Sequence, residues 1–369
     1  MSNRSAKKLP IVRLPPKSNA EILLARTAQL SIALLGVIGG IFALKAGEYI
    51  LAPIGTGVVV GLMLGPLASW LEGRRISRAL SAAIVVTLFA VAACILAVAM
   101  AAPLSIWIGR LPQVWNELRV QLTELRGPLE AIGSMRGQIR EITGTAGLKV
   151  SIEDGSPIES VATLAPAVIG QILLFFASLY FFVATRYDIR TALLKLCFDR
   201  RLRWRVAHIF RDVEDMVSTY LLSITAINVG FGLVVGAALF AIGVPSALLW
   251  GGLAGLLNFV PYIGPAVTAV ILFAVGLAEF DTLGGSLLPP AIYLGLNFIE
   301  GQFVTPIVIG RTMTLNPFVV LLALVFWIWL WGAIGGFIAI PALLAAYGII
   351  HNILPGADWS GEYLNGRRR

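Results

Sequence analysis

Asn258, Asn297 and Glu300 are polar residues in strongly apolar surroundings. A side-chain amide offers two donor hydrogens and an acceptor oxygen, and a carboxylate offers a place for a cation or a proton. An ionisable group in a bilayer costs several kcal/mol unless it faces a partner or water, so such residues mark candidate pathways. Asn297 and Glu300 stand at i and i+3, so both project from one helical face. Glu300 serves either as a cation or proton site or as the partner of Arg311 in the following short loop, locking two helices. Asn258 opens the segment Asn258-Phe259-Val260-Pro261-Tyr262-Ile263-Gly264-Pro265. Its amide either coordinates a substrate or caps freed backbone groups. Tyr262 lines a cavity or, the favoured reading, sits as an interfacial aromatic. Glu279 and Asp281 read as solvated loop acids.

The elements that position these groups are broken helices. Apolar runs at 246–257 and 266–278 each fall short of the roughly 20 residues a membrane span needs. Pro261, Gly264 and Pro265 at their junction interrupt any helix, because proline lacks the N–H and clashes with the preceding turn. In lipid, such a backbone is tolerated only where protein or a water-filled cavity satisfies it. A re-entrant helical hairpin over 246–278 is therefore expected. Farther on, Thr305-Pro306 is expected to end the helix that carries Glu300. Asn316-Pro317 opens the next one, with proline in the first turn, where its missing donor costs nothing.

Composition sets the class. Of 369 residues, 58% are hydrophobic and 13% charged, against about 25% charged in ordinary soluble domains. The mean hydropathy is +0.86. These values describe an all-α, polytopic membrane protein whose main partner is the lipid bilayer. The net charge of +8 comes from short basic runs beside apolar segments, the pattern of a cytoplasmic membrane face rather than of a nucleic-acid binder. Cys94 and Cys197 suggest no disulfide, and His208 and His351 stand in no ligand-like spacing, so no metal or cofactor is expected. No cleavage site follows the first apolar run. Gly251, Gly252 and Gly255 follow no strand, and no GxSxG, HExxH or CxxC occurs. The chain does not read as an enzyme.

Taken in order, residues 1–27 form a basic arm, followed by spans at 28–46, 50–69 and 79–104. Residues 105–163 are polar, with an apolar helical face at Leu111, Val114, Leu118, Leu122, Leu125, Leu129 and Ile132 and a kink expected at Gly127-Pro128. This face reads as an extracytoplasmic helix on the protein's own surface, or as a self-association or lid element. A span at 164–185, a basic segment at 186–215 and a span at 217–243 precede the hairpin. Spans at about 286–304, 317–331 and 333–353 and a tail at 354–369 complete the chain. Trp327, Trp329 and Trp331 read as an aromatic belt.

Charge bias orients these spans. The first 27 residues hold six Lys/Arg against one acid, and 186–215 holds eight against five. By contrast, 243–285 has no basic residue. The positive-inside rule places both termini, 72–78, 186–215 and 305–316 in the cytoplasm. Eight spans satisfy that parity only if the hairpin enters and leaves on the outer side.

LLWGGLAGLLNFVPYIGP (248–265), followed by EGQFVTPIVIGRTMTLNP (300–317), resembles the AI-2E family of predicted permeases, and the resemblance covers essentially the whole chain. It places Asn258, Pro261, Tyr262, Gly264 and Pro265 in the family's hairpin motif, and Glu300, Pro306 and Pro317 in its second motif. Two positions depart from the family. Asn316 stands where members often carry His, and Tyr220-Leu221-Leu222-Ser223-Ile224 replaces a Tyr-Leu-x-Gly-Gln version. The resemblance implies export of autoinducer-2 in some members and exchange of sodium or lithium for protons in others.

The sequence thus points to an inner-membrane secondary transporter of a small polar solute or of cations, driven by a gradient and expected to be a homo-oligomer. The pathway candidates are Asn258, Pro261, Tyr262, Gly264, Pro265, Asn297, Glu300, Pro306, Arg311 and Asn316. A passive channel formed by gathered hairpins and a non-transporting scaffold are the alternatives.

Overall fold

A computed structural model describes residues 19–133, 157–196, 199–280, 282–309 and 316–353. Among these, every regular element is helical. Seven helices among the described residues are long and apolar enough to cross a membrane. The chain divides into two compact units, residues 1–48 and 49–369. The first holds α1 (Asn19–Ala46), and a one-residue turn at Gly47 leads into α2 (Glu48–Gly73).

In the second unit, α3 (Arg78–Gly133) is a single helix of 56 residues, roughly 84 Å long at 1.5 Å per residue. A hydrocarbon core is about 30 Å thick. The first part of the polar 105–163 region therefore continues the third span instead of forming a separate surface helix, and Gly127-Pro128 does not end it. Helix α4 (Pro157–Lys195) and α5 (Arg200–Ala241) absorb nearly all of the basic 186–215 segment. Their turn is closed by Asp199, whose side chain accepts from the Arg201 N–H at 3.1 Å, satisfying one orphan donor of the new helix.

Helices α2 and α4 run parallel, since their contacts climb in step. Ser178 donates to the Ile54 carbonyl, Gly61 packs on Phe182, and Arg186 donates to the Gly65 carbonyl. Val60, Ala68, Val85, Leu179 and Val183 form the apolar core that α2 and α4 share with α3. A second core lies among α5, α6 (Ala247–Leu257), α7 (Ile263–Glu279) and α9 (Leu288–Ile299), around Val235, Leu239, Trp250, Leu272 and Tyr293. The short α8 (Leu283–Ser286) joins α7 to α9.

Helix α9 does not end at Thr305-Pro306. It widens into a π-turn over Glu300–Val304 and continues as α10 (Thr305–Ile309). In the π-turn the Thr305 N–H reaches back to the Glu300 carbonyl, which admits a proline one residue later without breaking the rod. The last two expected spans are two helical arms, together labelled α11 (Pro317–Ile353), with the boundary between them at the expected place. Its backbone leaves helical geometry at Trp331 and Gly332, where Gly332 has a φ of 59°. The break brings Gly335 back against the Trp327 carbonyl. Trp331 is therefore buried, packed on Gly55 of α2 and edge-on to Trp327, and only Trp329 stands exposed as a belt residue would.

Candidate functional site: an amide chain beside two helix breaks

The hairpin is positioned by glycine. Gly232 and Gly236 on α5 face Gly251 and Gly255 on α6 so closely that a methyl group on Gly255 would lie 2.6 Å from the Asn228 carbonyl oxygen. One on Gly251 would lie 2.7 Å from the Gly236 nitrogen. Small residues at four-residue spacing let helices approach backbone to backbone in a membrane, where lipid gives no hydrophobic incentive to pack. Along this antiparallel contact, Gly236 meets Ala247 and Gly251, Gly232 meets Gly251 and Gly255, and Asn228 meets Gly255. The next step of the ladder sets Asn228 against Asn258.

Asn258 ends α6, and its side chain bonds side chains, not backbone. Its Nδ2 donates to Asn228 Oδ1 at 2.9 Å, and its Oδ1 accepts from Asn297 Nδ2 at 3.3 Å. Three amides from α5, the hairpin break and α9 thus form one chain. Asn258 is 8% exposed and Asn228 1%. Asn228 Nδ2 has no partner among the described residues, while the buried Tyr293 hydroxyl, one turn before Asn297, faces the Thr268 hydroxyl. An unpaired buried donor is costly, and here one belongs to the chain itself.

The break itself runs from Asn258 to Tyr262. Tyr262 is exposed and has a φ of 64°, a conformation a non-glycine residue holds only when its surroundings impose it. Pro261 accepts from the Ile263 N–H at 2.7 Å, and Pro265 falls in the first turn of α7, where no donor is required. Gly264 packs directly on the Leu257 carbonyl, which closes the hairpin. Val260 packs on Gly336, and the rings of Phe259 and Phe337 lie 5.8 Å apart. The break after α6 and the break inside α11 therefore meet each other.

One turn beyond Asn297, Glu300 is 8% exposed in the π-turn and accepts a hydrogen bond from the Thr305 hydroxyl. It interacts electrostatically with Tyr220 on α5 and with Tyr293. Its proposed partner Arg311 and the acid Asp281 lie outside the described residues. Pro306 is exposed in α10. Asn316 is exposed too, and its Oδ1 accepts from the Phe318 N–H at 2.9 Å, capping α11 away from the amide chain. Glu279 is not a free loop acid: it pairs with Arg110 of α3 at 2.6 Å, beside the Trp107–Trp250 contact. Among the described residues no cluster of metal-ligating side chains occurs.

Asn228 escaped the sequence reading, although it is a lone amide in an apolar run, as Asn258 is. The Gly232-x₃-Gly236 and Gly251-x₃-Gly255 spacings would have paired the two segments and pointed to it. Arg186 was missed in the same way. It reads as a basic loop residue, yet it is buried, paired with Glu72 at 3.2 Å and bonded to Gly65, Ser69 and Tyr187.

Apolar helices, two of them broken against each other with polar groups at the break, define a polytopic membrane transport protein. A sequence profile of the AI-2E family transporter matches residues 30–354, and the chain belongs to that family. It is 28% identical over 300 residues to the AI-2 transport protein TqsA of Escherichia coli (strain K12), covering 79% of this chain and 83% of the relative. It is 26% identical over 333 residues to the putative transport protein YhhT of the same organism, covering 89% of each. A 140-residue stretch is 30% identical to the putative transport protein YrrI of Bacillus subtilis (strain 168), covering 38% of this chain and 39% of that one.

Proposed function

We propose that this protein is a secondary transporter of the inner membrane that exports a small, hydroxyl-bearing solute past the amide chain Asn228–Asn258–Asn297. The observation that carries this reading is the buried amide chain itself, with Asn228 Nδ2 left as an unpaired donor at its end. Amides both donate and accept, which suits a neutral polyhydroxylated solute better than a bare cation. The name of the relative TqsA, an AI-2 transport protein, agrees with such a substrate. In this reading the hairpin 246–278 is re-entrant from outside, and Tyr262, Pro261, Gly264 and Pro265 shape its mouth.

Gathering of the basic segments supports a cytoplasmic end of α11. Arg78 pairs with Asp188, Arg186 with Glu72, and Asn352 with Asp212, which puts the 72–78 turn, the α4–α5 turn and the end of α11 at one end of the bundle. Exchange of cations for protons is the second reading, favoured by the buried carboxylate of Glu300. Flux by purified protein in vesicles separates the two. Uptake of an autoinducer-like sugar that survives Glu300→Gln and fails in Asn258→Ala supports the first. Sodium/proton exchange that fails in Glu300→Gln supports the second.

A further inference from the structure

We propose that the cavity between α2, α4 and α5 holds the head group of a glycerophospholipid that carries a primary ammonium next to its phosphate. The cavity has a volume of about 210 Å³ and is walled largely by apolar side chains, among them Leu62, Phe182, Phe210 and Val213. Arg186, Arg190 and Glu214 also line it. The charges do not cancel locally. Arg186 is neutralised by Glu72, and of its nitrogens only Nε is left, buried and without a partner. Arg190 spends one N–H on the Ala207 carbonyl at 3.2 Å and pairs with no carboxylate among the described residues. Glu214 has no ion-pair or hydrogen-bond partner among them either.

A free cation and a free anion thus line one cavity without closing on each other, and a ligand with both signs of charge satisfies both. The guanidinium of Arg190 takes a phosphate, and the carboxylate of Glu214 takes an ammonium with hydrogens to donate. The apolar wall takes the acyl chains, and basic pockets between membrane helices are suited to lipid head groups. A purely anionic head group would set its charge against Glu214. A quaternary ammonium would bring no N–H.

The test uses full-length protein reconstituted in vesicles of equal parts phosphatidylethanolamine, phosphatidylcholine and phosphatidylglycerol, then extracted in mild detergent and its retained lipid weighed by mass spectrometry. Phosphatidylethanolamine should be enriched about tenfold over phosphatidylcholine, the worth of one charge-assisted hydrogen bond. Glu214→Gln and Arg190→Gln should each abolish the enrichment. Equal retention of phosphatidylcholine or phosphatidylglycerol by the unmodified protein overturns the proposal without recourse to any variant. So does enrichment that survives both substitutions. Soluble phosphoethanolamine at millimolar concentration should leave the retained lipid in place; if it displaces that lipid, a soluble amino-phosphate and not a lipid is the occupant.

Discussion

Asn258 donates its side-chain amide to Asn228 at 2.9 Å across the junction of α6 with α5, and it accepts from Asn297 with its other atom. It is the middle member of a three-amide chain. Replacing it with alanine strands both neighbours, whereas Asn297→Ala removes a single donor. Each buried amide left unpaired costs about 1–3 kcal/mol. Asn258→Ala should therefore lower the unfolding temperature in detergent more than Asn297→Ala, and should abolish flux. Equal effects of the two would mean that the chain is not a unit.

The glycine contact gives a sharper test, because two adjacent glycines differ in what they face. A methyl group on Gly251 would press on the Gly236 backbone, while one on Gly252 would meet only the flexible end of Met100, at 3.2 Å. Gly251→Ala must push α6 off α5, at an overpacking cost of about 1–3 kcal/mol, and it carries Asn258 away from Asn228. Gly252→Ala should leave both stability and flux near the parent level. Unfolding curves and vesicle flux on the two variants provide the comparison.

How much of this was legible in the sequence depended on whether a feature was local. The hairpin 246–278 and the boundary near residue 332 could be read because Pro261, Gly264, Pro265 and the shortness of the runs act within a few residues. Asn258, Asn297 and Glu300 were visible as polar intruders. What brings Asn258 to Asn228 is a backbone contact between segments 30 positions apart, and no single-segment pattern encodes which apolar runs pair. The π-turn was hidden for a different reason. Pro306 reads as a helix stop, but one inserted residue shifts the hydrogen bonds and lets the helix pass. Arg186 was misread because its charge suggested a loop, when the carbonyl of Gly65 and the carboxylate of Glu72 hold it inside.

The positive-inside bias, joined to the hairpin, predicts the side from which each connection is reached. In a chain with Cys94 and Cys197 replaced, cysteines at the exposed positions Ser246 and Thr282 should both react with an impermeant thiol reagent from outside. Cysteines at Asn316 and His351, also exposed, should react only after the membrane is opened. Labelling of Ser246→Cys and Thr282→Cys from opposite sides would mean that α6 and α7 together cross the bilayer.

Glu300 separates charge from shape. Its carboxylate is buried and bonded by the Thr305 hydroxyl, and glutamine keeps an acceptor oxygen there while losing the charge. If flux is solute export, Glu300→Gln should change it less than threefold (about 0.6 kcal/mol). Its dependence on an imposed pH gradient should also stay as it is. A loss of more than about tenfold (about 1.4 kcal/mol), confined to gradient-driven flux, would assign the carboxylate to ion coupling.

The Arg186–Glu72 pair tests whether the parallel contact of α2 and α4 is held by charge or by packing. The side chains are 6% and 17% exposed, so salt and water screen them little. Removing one member of a buried pair costs about 3–5 kcal/mol, because the other is left as an uncompensated charge. Glu72→Gln should therefore cost more than most surface changes. Arg186→Lys should fare little better, since a single ammonium cannot reach the Gly65 carbonyl, the Ser69 hydroxyl, Glu72 and Tyr187 together. The double variant Arg186→Met, Glu72→Gln removes both charges, and it should recover part of the loss seen in Glu72→Gln alone. Thermal unfolding of these variants, together with Arg186→Met alone to complete the cycle, decides the point. If the double variant is no better than the sum of the singles, the guanidinium is held by its bonds to Gly65 and Ser69, and Glu72 is a bystander.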